Sequence, residues 1–183
     1  WPGRNDFRLD DIIHNLRYLK PVSSFRTKYD YDNLLYIVAG EVVARVSGMS
    51  WNDFIEKRIM QPLGMTGSAS TYSRLRDKSN VIDPHAPVNG KVQVIGRNFN
   101  EVADAAAGIY SNISDMSEWI IMQMNRGRYG EGLSKQLFSE AVHRTMWSPH
   151  TIIPVRESAE YKTHFASYGL GWRLNDIMGY KQV

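Results

Sequence analysis

Leu34, Leu35, Val38, Val42 and Val46 recur at the three- and four-residue intervals of a helix face, and residues that stop helices close the run at both ends. Tyr31-Asp32-Asn33 stands at its head. At its foot, Ser47-Gly48 puts a glycine where a left-handed C-terminal residue is wanted. Ser50 then predicts the cap of a second helix, with Asp53 at the reciprocal capping position and Trp51, Phe54, Ile55 and Ile59 along one apolar face. Pro62, followed by Leu63-Gly64-Met65, is expected to close that helix.

Similar punctuation organises the remainder. Leu9, Ile12, Ile13, Leu16 and Leu19 predict a helix ended by Pro21, and a loop over residues 22–30 delivers Tyr31. The polar, serine-rich stretch 66–80 predicts a surface connection. Asn89-Gly90 between Val88 and Val92-Gln93-Val94 predicts a hairpin, although Pro87 weakens one arm. Ser114 is expected to cap a helix carrying Met116, Trp119, Ile120 and Met124, and Ser134 to start one carrying Leu137, Phe138, Ala141 and Val142 and ending before Pro149. Tyr168 to Leu174 and Tyr180 to Val183 predict two strands around a turn. The fold class is therefore α+β, predominantly helical, with no internal repeat.

Composition excludes several functions. Five Trp, ten Tyr and 43% hydrophobic residues in 183 describe a folded domain. The net charge of +3 is spread among acids without a basic run, which argues against nucleic acid as a partner. Without cysteine there is neither disulfide nor thiolate metal site, and no apolar run reaches the roughly eighteen residues of a membrane span. Residues 1–6 lack the charged and apolar regions of a signal peptide. His14, His85, His143, His150 and His164 are dispersed and predict no metal site, and Gly127, Gly130 and Gly132 are read as a turn, since no Gly-Lys-Ser/Thr follows. No cofactor is expected.

Several short segments stand in a telling order. Tyr31-Asp32-Asn33 opens a helix, Pro62-Leu63-Gly64-Met65 follows about two helices later, and Ala107-Gly108-Ile109-Tyr110-Ser111 precedes Ser114-Asp115-Met116. Met146-Trp147-Ser148-Pro149 then precedes Tyr168-Gly169-Leu170-Gly171-Trp172. This order resembles the middle of the class C serine β-lactamases and their penicillin-binding and esterase relatives. The resemblance implies the helical region of the β-lactamase/DD-peptidase fold with a short hairpin, as a single partial domain over residues 1–183 whose strands from about residue 167 belong to a larger sheet. It also implies a small-molecule or peptide substrate (a β-lactam, a D-alanyl peptide or a small ester), a periplasmic or secreted setting, Tyr31 as catalytic base and Asn33 as substrate-binding amide.

Two motifs of the resembled enzymes do not occur. There is no Ser-x-x-Lys: Ser23, Ser73 and Ser158 are followed three residues later by Arg26, Arg76 and Tyr161. Lys162-Thr163-His164 lacks the glycine of the late Lys/His-x-Gly strand. The resemblance then places the nucleophile before Trp1 and the third motif after Val183, and leaves this chain inert by itself. A serine hydroxyl needs a base within hydrogen-bond reach, and a phenol, which ionises near pH ~10 unaided, needs the cations those motifs supply. Lys28 is close in sequence, with nothing to show that it points toward Tyr31. An amide such as that of Asn33 can donate to a substrate carbonyl and accept from a lysine without titrating. Asp32 departs from the small or neutral residue expected there, and either selects against anions or faces water.

Plainer readings stand beside these. Tyr31 can be a packing residue at a helix start, Asn33 a helix cap, Asp30 or Asp32 a charge complementing the helix dipole, and Trp51, Trp119, Trp147 and Trp172 core. The alternative function is a non-catalytic, penicillin-binding-like binding or sensing module. Strands cut from their sheet are expected to leave open edges near Leu170, Trp172 and Val183 that self-associate or lose order.

Overall fold

The computed structural model describes residues 7–97, 101–155 and 160–183, which fall into two compact units. Residues 1–6 and Ser158 lie outside the described residues. Helix predominates over strand, as expected for the class.

The first unit joins residues 7–17 to Asp32–Ser117. After α1 (Leu9–Asn15), the 15-residue α2 (Asn33–Ser47) ends on Gly48 at φ 69°, whose N–H bonds Ala44 O at 2.9 Å. The buried side of α2 is not the Leu34, Leu35, Val38, Val42 and Val46 face. Ile37 and Gly40 are buried, while Leu35, Val42 and Val46 are exposed. Gly40 decides this: lacking a side chain, it lets α2 approach Trp51 and Ala105 more closely than any leucine face could.

Ser50 caps α3 (Trp51–Ile55), its hydroxyl accepting from Asp53 N–H at 3.1 Å. Asp53 does not reciprocate; its carboxylate takes Lys57 at 3.1 Å and Arg74 at 2.8 Å. Nor does Pro62 end the helix. A π turn (Glu56–Met60) leads into α4 (Gln61–Leu63), so Pro62 falls in a first turn where its missing N–H leaves no bond unmade. The stop comes at Gly64, φ 73°, with Gly64 N–H on Gln61 O and Met65 N–H on Met60 O. Met60, Leu63, Met65 and Ala69 are buried there.

The hairpin forms as expected: β1 (His85–Val88) and β2 (Lys91–Val94) meet at Asn89 (φ 50°) and Gly90 (φ 75°). Pro87 is harmless. Ile95 N–H bonds Pro84 O at 2.9 Å, and that phase puts Pro87, opposite Val92, in a pair that exchanges no backbone bonds. Ala105-Ala106-Ala107 belongs to a short helix, α5 (Asp104–Ala107). The helix α6 (Ile113–Met124) is capped by Asn112, whose Oδ1 accepts from Asp115 N–H at 2.9 Å, and not by Ser114. Its fully buried apolar residue is Met122, with Ile120 and Met124 exposed.

The second unit joins Tyr18–Tyr31 to Glu118–Val183. Ser134 starts no helix: β3 (Arg128–Tyr129) pairs with β4 (Lys135–Gln136), and α7 (Glu140–Met146) begins after Ser139, whose hydroxyl accepts from Val142 N–H at 3.3 Å. Both serines have capping chemistry, but Leu137 N–H is already bonded to Gly127 O at 2.8 Å and holds the earlier segment extended. The strands β5 (Thr151–Ile153), β6 (Ala166–Tyr168), β7 (Arg173–Ile177) and β8 (Tyr180–Gln182) form an antiparallel meander in that order.

Two expectations change here. Tyr168 to Leu174 is not one strand but the end of β6, a tight turn and the start of β7, because Gly169 N–H bonds Trp172 O at 2.7 Å and Leu170 N–H bonds Met146 O at 3.1 Å. The last strands are not orphaned, since each pairs within this sheet, leaving β5 and β8 as its open edges.

Candidate functional site

The N-terminus of α2 is built by Asp32. Its backbone is extended (φ −139°, ψ 115°) and its Oδ1 accepts from Leu34 N–H at 2.8 Å, which makes it the N-cap. The carboxylate starts the helix. Asn33 is therefore the first helical residue and not the cap, and its half-buried amide is left available for another task. Tyr31 precedes the cap and is 59% exposed, so its ring lies outside the buried core. The unit boundary falls between Tyr31 and Asp32, so the phenol is carried by one unit and the amide by the other. Lys28 Nζ lies 3.0 Å from Asp30 Oδ1, in an exposed pair of small energetic consequence.

Downstream of the Pro62 to Met65 segment, the loop that follows is fixed by one buried and one half-buried acceptor that the sequence reading missed. Asp115, 7% exposed, accepts from Gly67 N–H at 2.9 Å and Ser68 Oγ at 2.6 Å, and Ser68 Oγ lies 2.7 Å from Ser111 Oγ. Glu56 accepts from Ser70 N–H at 3.1 Å and its Oγ at 2.7 Å, with Arg74 at 3.2 Å. Burial pushes the Glu56 carboxyl up, but the Ser70 bonds and Arg74 outweigh it and hold the pKa low. Only the tertiary fold reveals the loop that Asp115 holds. Asp115→Ala removes a buried charged acceptor from two partly exposed donors and is expected to cost about 2 kcal/mol, read as a lowered urea midpoint with an unchanged slope.

Three of the histidines are occupied structurally. His143 is buried against Phe138 and Trp147, with ring centroids 6.4 and 4.3 Å away, and its pKa is lowered chiefly by that burial. His150 Nε2 lies 2.8 Å from Thr145 O. His164 Nδ1 lies 2.8 Å from Asp176 Oδ2, and Asp176 also accepts from the His164 and Phe165 backbone N–H groups at 2.8 and 3.0 Å. The His164 side chain first, then the Phe165 N–H, holds the Asp176 carboxyl down at about 2. A depressed carboxylate pKa stabilises the fold above its ordinary value of 3.8 and loses that contribution as pH falls through about 2. Replacing His164 by Ala is expected to raise the Asp176 midpoint in a carboxyl-detected NMR titration and to bring acid unfolding to higher pH; an unmoved midpoint would deny the pair its role.

The chain matches the Beta-lactamase family over residues 1–181. It is 29% identical to the unguisins hydrolase of Aspergillus campestris across 96% of its own length and 32% of the fungal protein. Among solved structures it resembles the D-stereospecific amidohydrolase from Streptomyces sp., with a TM-score of 0.72 and 19% identity over 96% of this chain and 48% of that one. It also resembles the β-lactamase/D-alanine carboxypeptidase from Pseudomonas syringae, with a TM-score of 0.64 and 14% identity over 94% and 42%. The chain spans about a third of the length of that fungal relative, 32%. A helix begun at Tyr31-Asp32-Asn33, the glycine stop after Pro62 and Leu63, and a match running over nearly every residue agree: the chain belongs to the Beta-lactamase family, within the superfamily of serine β-lactamases and penicillin-binding proteins.

Proposed function

We propose that this chain is the helical part, with adjoining strands, of a β-lactamase-related serine hydrolase that works through a serine acyl-enzyme. Tyr31 is its base and Asn33 its substrate-positioning amide; the Ser-x-x-Lys nucleophile and the Lys/His-x-Gly strand belong to sequence outside these 183 residues. One observation carries the reading. In a chain matching the family over residues 1–181, the motif tyrosine is exposed just before a helix cap made by Asp32, and Asn33 is free of capping duty. The substrate is an acyl compound of the β-lactam, D-alanyl peptide or small ester type, and the named activities of the relatives, an amidohydrolase and a carboxypeptidase among them, favour amides. Relatives include a fungal protein, so a bacterial, periplasmic setting is not common to all of them.

The test uses a fluorescent penicillin and mass spectrometry. These 183 residues are expected to form no acyl adduct and to leave a chromogenic β-lactam intact, whereas the intact protein is expected to take one acyl group per chain on the Ser-x-x-Lys serine. A stoichiometric adduct on a serine of this chain would overturn the assignment and name another nucleophile. An intact protein without a Ser-x-x-Lys would favour the second reading, a penicillin-binding-like module that binds without turnover.

A further inference from the structure

Tyr31 sits at the end of a loop whose residues are mostly exposed. Among residues 24–31, Tyr29 alone is not exposed. Its ring lies 5.1 Å from that of Tyr168, tilted 48°, and Arg173 covers it with Cζ 5.9 Å from the ring centroid. The same guanidinium points Nη2 at the Tyr29 hydroxyl, 3.4 Å away. Tyr168 and Arg173 are direct cross-strand partners, the last residue of β6 and the first of β7, so the turn between them delivers both to one side of Tyr29. A planar guanidinium can face a ring and reach its hydroxyl together, which an ammonium on a flexible stem does poorly.

We infer that Tyr29 is the positioning residue for Tyr31: the Tyr168–Arg173 clamp fixes the loop two residues before the phenol and so sets where the base stands. This rests on the assignment of Tyr31 as base. It also gives the Tyr168 to Trp172 segment a role beyond sheet pairing, since that turn assembles the clamp. A base displaced by about 1 Å can lose two orders of magnitude in rate.

Trypsin tests the clamp in the chain as it stands. Tyr168→Ala with Arg173→Met leaves the sequence around Arg26 untouched and is expected to speed cleavage after Arg26 about fivefold or more, the loss of one ring pair and one cation–ring contact. Tyr29→Phe, which keeps the ring, is expected to cleave as the parent does. Unchanged cleavage in the double variant overturns the clamp.

Turnover by the intact protein tests the link to Tyr31. Tyr29→Ala is expected to lower kcat about ten- to a hundredfold with little change in KM, and Tyr29→Phe to restore most of it. In a Tyr31→Phe background the Tyr29→Ala change should have no further effect, because its influence passes through the missing hydroxyl. Additive losses overturn the positioning role, whereas a Tyr31→Phe enzyme of undiminished rate sinks the base assignment instead.

Discussion

Tyr31→Phe in the intact protein is expected to lower kcat by about 10²- to 10⁴-fold, the usual contribution of a positioned general base, while KM and the thermal midpoint stay close to those of the parent. Stability should hold because Tyr31 is 59% exposed, and the helix it precedes is started by Asp32 and not by the phenol. Asn33→Ala should behave differently. Removing an amide that donates to the substrate carbonyl weakens binding as well as turnover, so KM rises along with the fall in kcat, and the helix again survives because Asn33 is not its cap. Steady-state hydrolysis of a chromogenic β-lactam and of a D-alanyl amide, with a thermal melt of each variant, separates these outcomes. A Tyr31→Phe enzyme that unfolds early, or that keeps its rate, would return Tyr31 to the rank of an ordinary residue at a helix start.

Whatever depends on a single residue's backbone chemistry was legible in the sequence. Gly48 stops a helix because it takes a left-handed dihedral, Ser50 caps, and Asn89-Gly90 turns a hairpin even with Pro87 in one arm, whereas the stop at Gly64 had been expected at Pro62. Choices between chemically similar neighbours were not. Ser134 and Ser139 can each cap, as can Asn112 and Ser114, and the winner is set by which backbone is already committed elsewhere, as Leu137 N–H is to Gly127 O. The π turn that makes Pro62 harmless has no signature in residue type. The buried face of α2 was misread for a different reason: leucine and valine mark hydrophobicity, but a glycine marks closeness, and closeness prevailed. For the candidate site, the motif located Tyr31 and Asn33, yet Asp32's role as cap and Tyr29's seat between Tyr168 and Arg173 depend on the fold.

Gly40→Val is expected to be the most damaging single change in the helical unit, at about 3 kcal/mol. A Cβ at this position runs into the Ala105 Cβ and comes within 3.3 Å of Trp51 Cδ1, and neither partner can swing aside, since one is a methyl fixed to α5 and the other an indole held at the start of α3. Against this, replacing a mid-helix glycine recovers at most about 1 kcal/mol of helix propensity for Ala and less for a β-branched residue. The overlap therefore wins for Val, and Gly40→Ala should show a smaller net loss of about 1 kcal/mol. A compensating change tells steric overlap from any general intolerance of the site. Ala105→Gly alone removes a methyl and weakens a short helix, but combined with Gly40→Ala it vacates the space the new methyl needs, so the double variant should be more stable than the two single losses predict. Urea unfolding of the four proteins measures the coupling, and strict additivity would show that Gly40 is retained for some reason other than the close approach of α2 and α5.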